Sequence, residues 1–124
     1  MDNKEFYEDL AKKIFASMNS RDFDKLKEDM DDDISLDFPG IKLIEGSRRV
    51  IVFLNELMKK YKMLTFKLSD IIIENEKAFV LWTNFGEAPD GSEYKNSGVT
   101  FVKFKDEKII FLSDYFKDTS FISS

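Results

Sequence analysis

The chain has 124 residues, 43% of them hydrophobic and 15% aromatic, with a formal net charge of −5 and a pI near 4.8. That size suits one domain, and the apolar content can fill a core, which argues against a disordered chain. There is no Cys and no His, which excludes thiol nucleophiles, Ser-His-Asp chemistry, disulfides and Cys or His zinc sites, while the acidic balance and the scattered arginines Arg21, Arg48 and Arg49 argue against nucleic acid as a partner.

The N-terminus, Met1-Asp2-Asn3-Lys4-Glu5, is charged and leads into an amphipathic segment, unlike a signal peptide. No apolar run is long enough to span a membrane. A cytoplasmic protein is expected, and richness in Lys, Ile, Phe and Asn fits a bacterial source. Phe6, Leu10, Ile14 and Met18 recur at helical spacing, which predicts a helix from about residue 3 to 18. After the break Asn19-Ser20-Arg21-Asp22, Asp22 is placed to cap a short helix that turns Phe23, Leu26 and Met30 inward. Asp31-Asp32-Asp33 lacks the spaced ligands and turn glycine of a calcium loop, so it reads as a solvated turn before a strand. No metal or cofactor is expected.

Ile34 to Phe38 alternates and stops at Pro39-Gly40, a short strand. Gly46-Ser47 opens a third helix, with Ser47 expected as its cap and Val50, Phe53, Leu54, Leu57, Met58 and Tyr61 as its apolar stripe. From Met63 onward the pattern is β, with strands at Thr65 to Glu74, Lys77 to Phe85, Tyr94 to Lys105 and Lys108 to Phe116. The breaks Asn75-Glu76, Pro89-Asp90-Gly91 and Asp106-Glu107 are short, so neighbours should pair as antiparallel hairpins. Helices first and a meander afterwards predict an α+β domain, with helices packed on one face of a sheet.

Alternation then assigns faces. In the last strand Ile110, Leu112, Asp114 and Phe116 share one side, and Ile109, Phe111, Ser113 and Tyr115 the other. Asp114 therefore stands in an apolar row, where an unpaired charge is costly. It has a partner, stays protonated, or lines a cavity; the cavity is the preferred reading. Trp82 and Asn84 share one face of their strand, as do Asn96, Gly98, Thr100, Val102 and Phe104 of the next. Such mixtures of amides, small residues and apolar residues suit a pocket wall, although Asn84 and Asn96 could equally be solvated strand-end residues. Gly98 within a strand marks a bend or a close approach to the backbone. The other faces carry Phe79, Leu81, Phe101, Phe111 and Tyr115, an apolar patch that calls for cover, and a second copy of the chain is the expected one.

Taken together, the first helix with its Asn19-Ser20-Arg21-Asp22 break, Asp32-Asp33-Ile34 leading to Asp37-Phe38-Pro39, Gly46 before the third helix, Pro89-Asp90-Gly91 with Tyr94, and Lys108-Ile109 leading to Asp114-Tyr115-Phe116 resemble the nuclear transport factor 2-like superfamily. The likeness is to its SnoaL-like polyketide cyclase and limonene epoxide hydrolase branches, over almost the whole chain. It implies a cystatin-like cone: helices packed on a strongly curved, mainly antiparallel sheet that encloses a pocket, as a single domain over residues 1–124. It also implies dimers through the convex face. Asp114 matches the last-strand acid that serves as acid or base in those branches, and Asp37 falls on the water-positioning amide of the epoxide hydrolases. Their essential Arg and second Asp fall near Trp82 and Asn84, so that apparatus is broken. The ketosteroid isomerase residues fall on Ile14, Phe38 and Thr100, so that activity is not implied either.

The sequence thus points to a pocket for a small apolar or carbonyl-containing ligand, with Asp114 as the one acid–base group. Asp37, Leu54, Met58, Trp82, Asn84, Asn96 and Phe116 are its expected ligand-binding walls. The alternative is a non-catalytic ligand-binding or dimerising module.

Overall fold

Helical spacing in the first half of the chain and alternation in the second separate cleanly in three dimensions. The computed structural model describes residues 3–120. The elements run α1 (Asn3–Ser20), α2 (Asp24–Glu28), β1 (Met30–Asp37), β2 (Ile44–Glu45), α3 (Ser47–Lys59), β3 (Met63–Glu74), β4 (Lys77–Glu87), β5 (Glu93–Lys105) and β6 (Lys108–Phe116). The strands form one open six-stranded sheet in the order β2-β1-β6-β5-β4-β3. The last four make the expected antiparallel meander. β1 joins β6 in parallel, which requires a long crossover, and everything between the two strands supplies it.

Three register shifts bend the sheet: in β1 between Met30 and Ser35, in β3 between Leu68 and Asp70, and in the β5–β6 pair beside Phe104. An extra residue in one strand kinks it and reverses which face the following side chains meet. This corrects the simple alternation in β6: Ile109 and Leu112 are both buried, at 0% and 3% exposure, although three residues apart in sequence. The curvature turns one face of the sheet into a hollow, and the helices fill it. Leu10, Ile14, Phe15 and Met18 of α1, with Val50, Leu54 and Met58 of α3, pack over Val80, Trp82, Val102 and Leu112. Burial of these side chains is the main stabilising term. At the far end of α1, Asn19 acts as a clip. Its Oδ1 accepts the Phe66 N–H at 2.7 Å and its Nδ2 donates to the Phe66 carbonyl at 3.0 Å.

Three local expectations change. Gly46, not Ser47, holds the cap position of α3; its carbonyl accepts the Val50 N–H at 3.0 Å, and its φ of 99° suits glycine. Asp31 to Asp33 lie inside β1 rather than in a turn before it, and the Asp31 carboxylate accepts the Asp33 N–H at 2.9 Å. At α2 the cap position is held by Phe23 without a side-chain cap, and Asp22, expected there, lies one residue earlier and accepts the Asp24 N–H at 3.1 Å. No helix among the described residues is long and apolar enough to cross a membrane.

Candidate functional site

The site starts from a missing side chain. Gly98 of β5 stands opposite Trp82 of β4, and a Cβ there would lie 2.8 Å from the indole ring. Without it, the ring settles against the β5 backbone and reaches one pair further along. Its Nε1–H donates to the Thr100 hydroxyl at 2.9 Å. Thr100 in turn faces Asp114 across the β5–β6 pair, and its hydroxyl donates to Asp114 Oδ1 at 2.7 Å. Because the indole can only donate, the Thr100 oxygen is the acceptor in the first bond, and its own proton is free for the carboxylate. Three strands thus hold one directed chain, Trp82 to Thr100 to Asp114. Thr100 is the one hydrogen-bond partner of Asp114 among the described residues.

Burial pushes the Asp114 carboxyl up from an ordinary 3.8 to about 6; the Thr100 hydrogen bond pulls it down, and the negative charge of Asp37 adds to the rise. The carboxyl borders a cavity of about 30 Å³. Its roof comes from Ile14, Phe15 and Met18 of α1 with Leu54 and Leu57 of α3, and its polar lining from Thr100 and Asp114 alone. Such a volume holds about one or two waters. Aromatic rings brace the walls edge to face. Trp82 meets Phe66 at 5.2 Å and Phe116 at 5.1 Å, and Phe38 meets Phe116 at 5.4 Å and Phe53 at 5.1 Å. Phe38 and Leu57 also line a second, larger space of about 460 Å³, between the loop Pro39 to Ile41, the end of α3 and the β4–β5 turn.

Of the residues picked from the sequence, Leu54, Trp82, Asp114 and Phe116 come together around the cavity. The others do not line it. Met58 is buried in the α3 core at 1% exposure, outside the cavity wall. Asp37 is exposed, because Leu36 and Phe38 on either side of it turn inward; it accepts the Ser113 hydroxyl at 3.4 Å and acts on Asp114 through its charge. Asn96 uses its amide to hold the segment after β6. Its Nδ2 donates to the Asp118 carbonyl at 2.9 Å and to the Tyr94 hydroxyl at 3.0 Å, and its Oδ1 accepts the Asp118 N–H at 3.1 Å. Asn84 is buried at 4% exposure, and its Oδ1 has no partner among the described residues. The sequence reading did not select Thr100, Phe38 or Leu57 as site residues. Thr100 had a usable clue: counting back across the Asp106-Glu107 turn brings it close to Asp114.

A family model described as a SnoaL-like domain matches residues 11–112. Among solved structures, a candidate SnoaL-like polyketide cyclase from Jannaschia sp. CCS1 superposes with a TM-score of 0.88 at 15% identity, over 97% of this chain and 91% of that one. An NTF2-like protein of unknown function from Burkholderia pseudomallei K96243 gives 0.85 at 17% identity, over 99% and 97%. An LEH-like epoxide hydrolase from M. tuberculosis gives 0.80 at 16% identity, over 94% and 86%. At these identities the likeness is one of fold. No curated protein matches in sequence.

Proposed function

The chain belongs to the SnoaL-like domain family, and on that premise we propose that it holds a small apolar or carbonyl-containing molecule against Asp114 and exchanges a proton with it. The observation that carries this reading is a carboxyl in an apolar cavity, shifted to about 6, with one oriented donor on Oδ1. Near neutral pH such a group populates both protonation states, which is where general acid–base work is most effective. Protonated, Asp114 donates to a ligand oxygen. Ionised, it removes a proton from carbon or oxygen, and the Thr100 hydroxyl stabilises the carboxylate that does so. Oδ2 is left for the ligand, since no described residue bonds it. No second acid or base among the described residues lines the cavity, so the chemistry is a single proton transfer of the isomerase, cyclase or hydrolase type. Residues 1–124 act as one domain in this reading.

A second reading rests on the other face of the sheet. Phe79, 43% exposed, stacks on Phe101 at 4.8 Å, and Phe111 meets Phe101 edge-on at 6.2 Å, while Tyr115, further along β6, is 60% exposed. The Lys103 ammonium lies over the Phe101 and Phe111 rings at 5.7 and 5.4 Å. A second copy, related by a two-fold axis, covers such a patch with identical residues on both sides. The domain then serves as a homodimeric binding or interaction module, and Asp114 only complements ligand polarity. The two readings part on one experiment: Asp114→Asn with a panel of small ketones and epoxides. Lost turnover with binding kept supports catalysis. Asp114→Asn leaving any turnover intact, or an Asp114 carboxyl titrating at or below its ordinary value by NMR, would refute it.

A further inference from the structure

The cavity beside Asp114 and the larger cleft share two side chains, Phe38 and Leu57. The inner space, about 30 Å³, is smaller than an organic ligand as it stands and must widen to take one, whereas the outer one, about 460 Å³, lies within the range of roughly 300 to 1,000 Å³ usual for small-molecule sites. Phe38 stands between them at the end of β1. It is followed at once by the Pro39-Gly40 turn, where Gly40 adopts a φ of 84°, and by the exposed Ile41. Its ring meets Phe53 and Phe116 edge-on. These two contacts are apolar, and an apolar chain entering from the cleft replaces them with contacts of the same kind.

The outer end of the cleft has a different chemistry. Tyr61 and Tyr94 line it, with ring centroids 5.1 Å apart. Burial pushes the Tyr61 phenol up to about 12, with the neighbouring Tyr94 adding to the rise, so it remains a neutral hydroxyl. The Tyr94 oxygen accepts the Asn96 amide at 3.0 Å. A phenol that accepts one bond still has its own O–H proton to donate, and Tyr94 donates it to no described residue. Among the described residues Lys60 lines the same cleft, and no acid does. One cation and one unfilled hydroxyl donor in an otherwise apolar cleft complement a carboxylate.

Resting on the reading of the Asp114 cavity as a ligand site, we propose that cavity and cleft are two ends of one elongated site, closed between them by Phe38, for an apolar chain bearing a single carboxylate. The carboxylate sits at Lys60 and Tyr94, and the apolar end passes Phe38 to reach Trp82 and Asp114.

Decanoate and decanol, equal in chain length, test this with the fluorescence of Trp82, the single tryptophan. Decanoate should change the emission saturably and bind more tightly than decanol. Lys60→Gln and Tyr94→Phe should each weaken decanoate about tenfold and leave decanol unchanged, as expected for the loss of one charge-assisted bond. Phe38→Leu should speed the fluorescence change in stopped flow. Equal binding of the two molecules in every variant would overturn the carboxylate end, yet leave the Asp114 pocket standing. Decanoate binding seen by calorimetry without a Trp82 response would show two separate spaces and overturn the gate. Binding of neither molecule overturns the inference as a whole, while the titration of Asp114 judges the underlying reading separately. Lys60 is exposed and Tyr94→Phe removes one atom, so these two variants keep the test valid even if Phe38→Leu unfolds.

Discussion

Replacing Asp114 with Asn should stabilise the protein at neutral pH and do nothing for it in acid. The carboxyl has a folded-state pKa raised from 3.8 to about 6, chiefly by burial. Below 3.8 it is protonated in both folded and unfolded chains and makes no difference between them. Between 3.8 and about 6 the unfolded chain ionises first, so the stability that the neutral form contributes is lost as pH rises. Above the folded value the full penalty is in place. At about 1.4 kcal/mol per pH unit, the interval amounts to at most about 3 kcal/mol. Asn keeps the shape and an oxygen that accepts the Thr100 hydroxyl, so most of that gain should appear. Urea denaturation of the parent and Asp114→Asn proteins from pH 4 to pH 8 measures it directly. The difference in unfolding free energy should start near zero, grow through the interval and level off near pH 7. A pH-independent difference, or one in which the variant weakens as pH rises, would mean a paired or solvated carboxylate and would sink the acid–base reading.

Thr100→Val removes the donor on Asp114 and the acceptor of the Trp82 indole together; the Asp114 carboxyl should titrate above about 6 by NMR, and stability should fall by about 1–3 kcal/mol. Gly98→Ala places a methyl group against the Tyr115 backbone carbonyl oxygen and 2.8 Å from the Trp82 ring; the backbone clash alone should lower the melting temperature, by about 1–3 kcal/mol of stability or more, so the tryptophan emission reports on the ring: a shift is expected, and an unchanged spectrum would count against the indole packing. Phe101→Glu puts a charge in the aromatic patch of the convex face and should yield monomers, whereas a monomeric parent protein in sedimentation at micromolar concentration would remove the dimer proposal.

Much of this was legible in the residues because a strand's side chains alternate. Trp82 on β4 and Leu112, Asp114 and Phe116 on β6 fell on the hollow side as their spacing requires. The phase failed where an extra residue enters. Ile109 replaces Ile110 on the inner face because β6 slips against β5, and no composition marks that slip. Asp37 was assigned to the pocket by family resemblance, against its own neighbours Leu36 and Phe38, whose inward alternation already sent it out. Asn96 reads as a pocket amide in sequence, but its partners lie after β6, and only the fold brings Asp118 beside it. β2 has two residues, too few for any pattern to appear. The relay from Trp82 depends on register across three strands, which local periodicity does not carry.

The strand order has a consequence for how the protein is made. β6 lies between β5, its neighbour in the chain, and β1, against which Phe111 stands opposite Ser35. A ribosome delivers β1 long before β6. Until then β1 has only the two residues of β2 beside it, and Ile34 and Leu36 have no finished sheet to sit in. Long-range pairing of this kind is slow to form, and a waiting apolar strand with an open edge is prone to stick to others. Fragments ending at Glu107 should therefore show helical signal without slow amide exchange in β1. The strand that joins β1 to the meander is also the one that carries Asp114, so a nascent chain gains this carboxyl in the same step that unites the sheet.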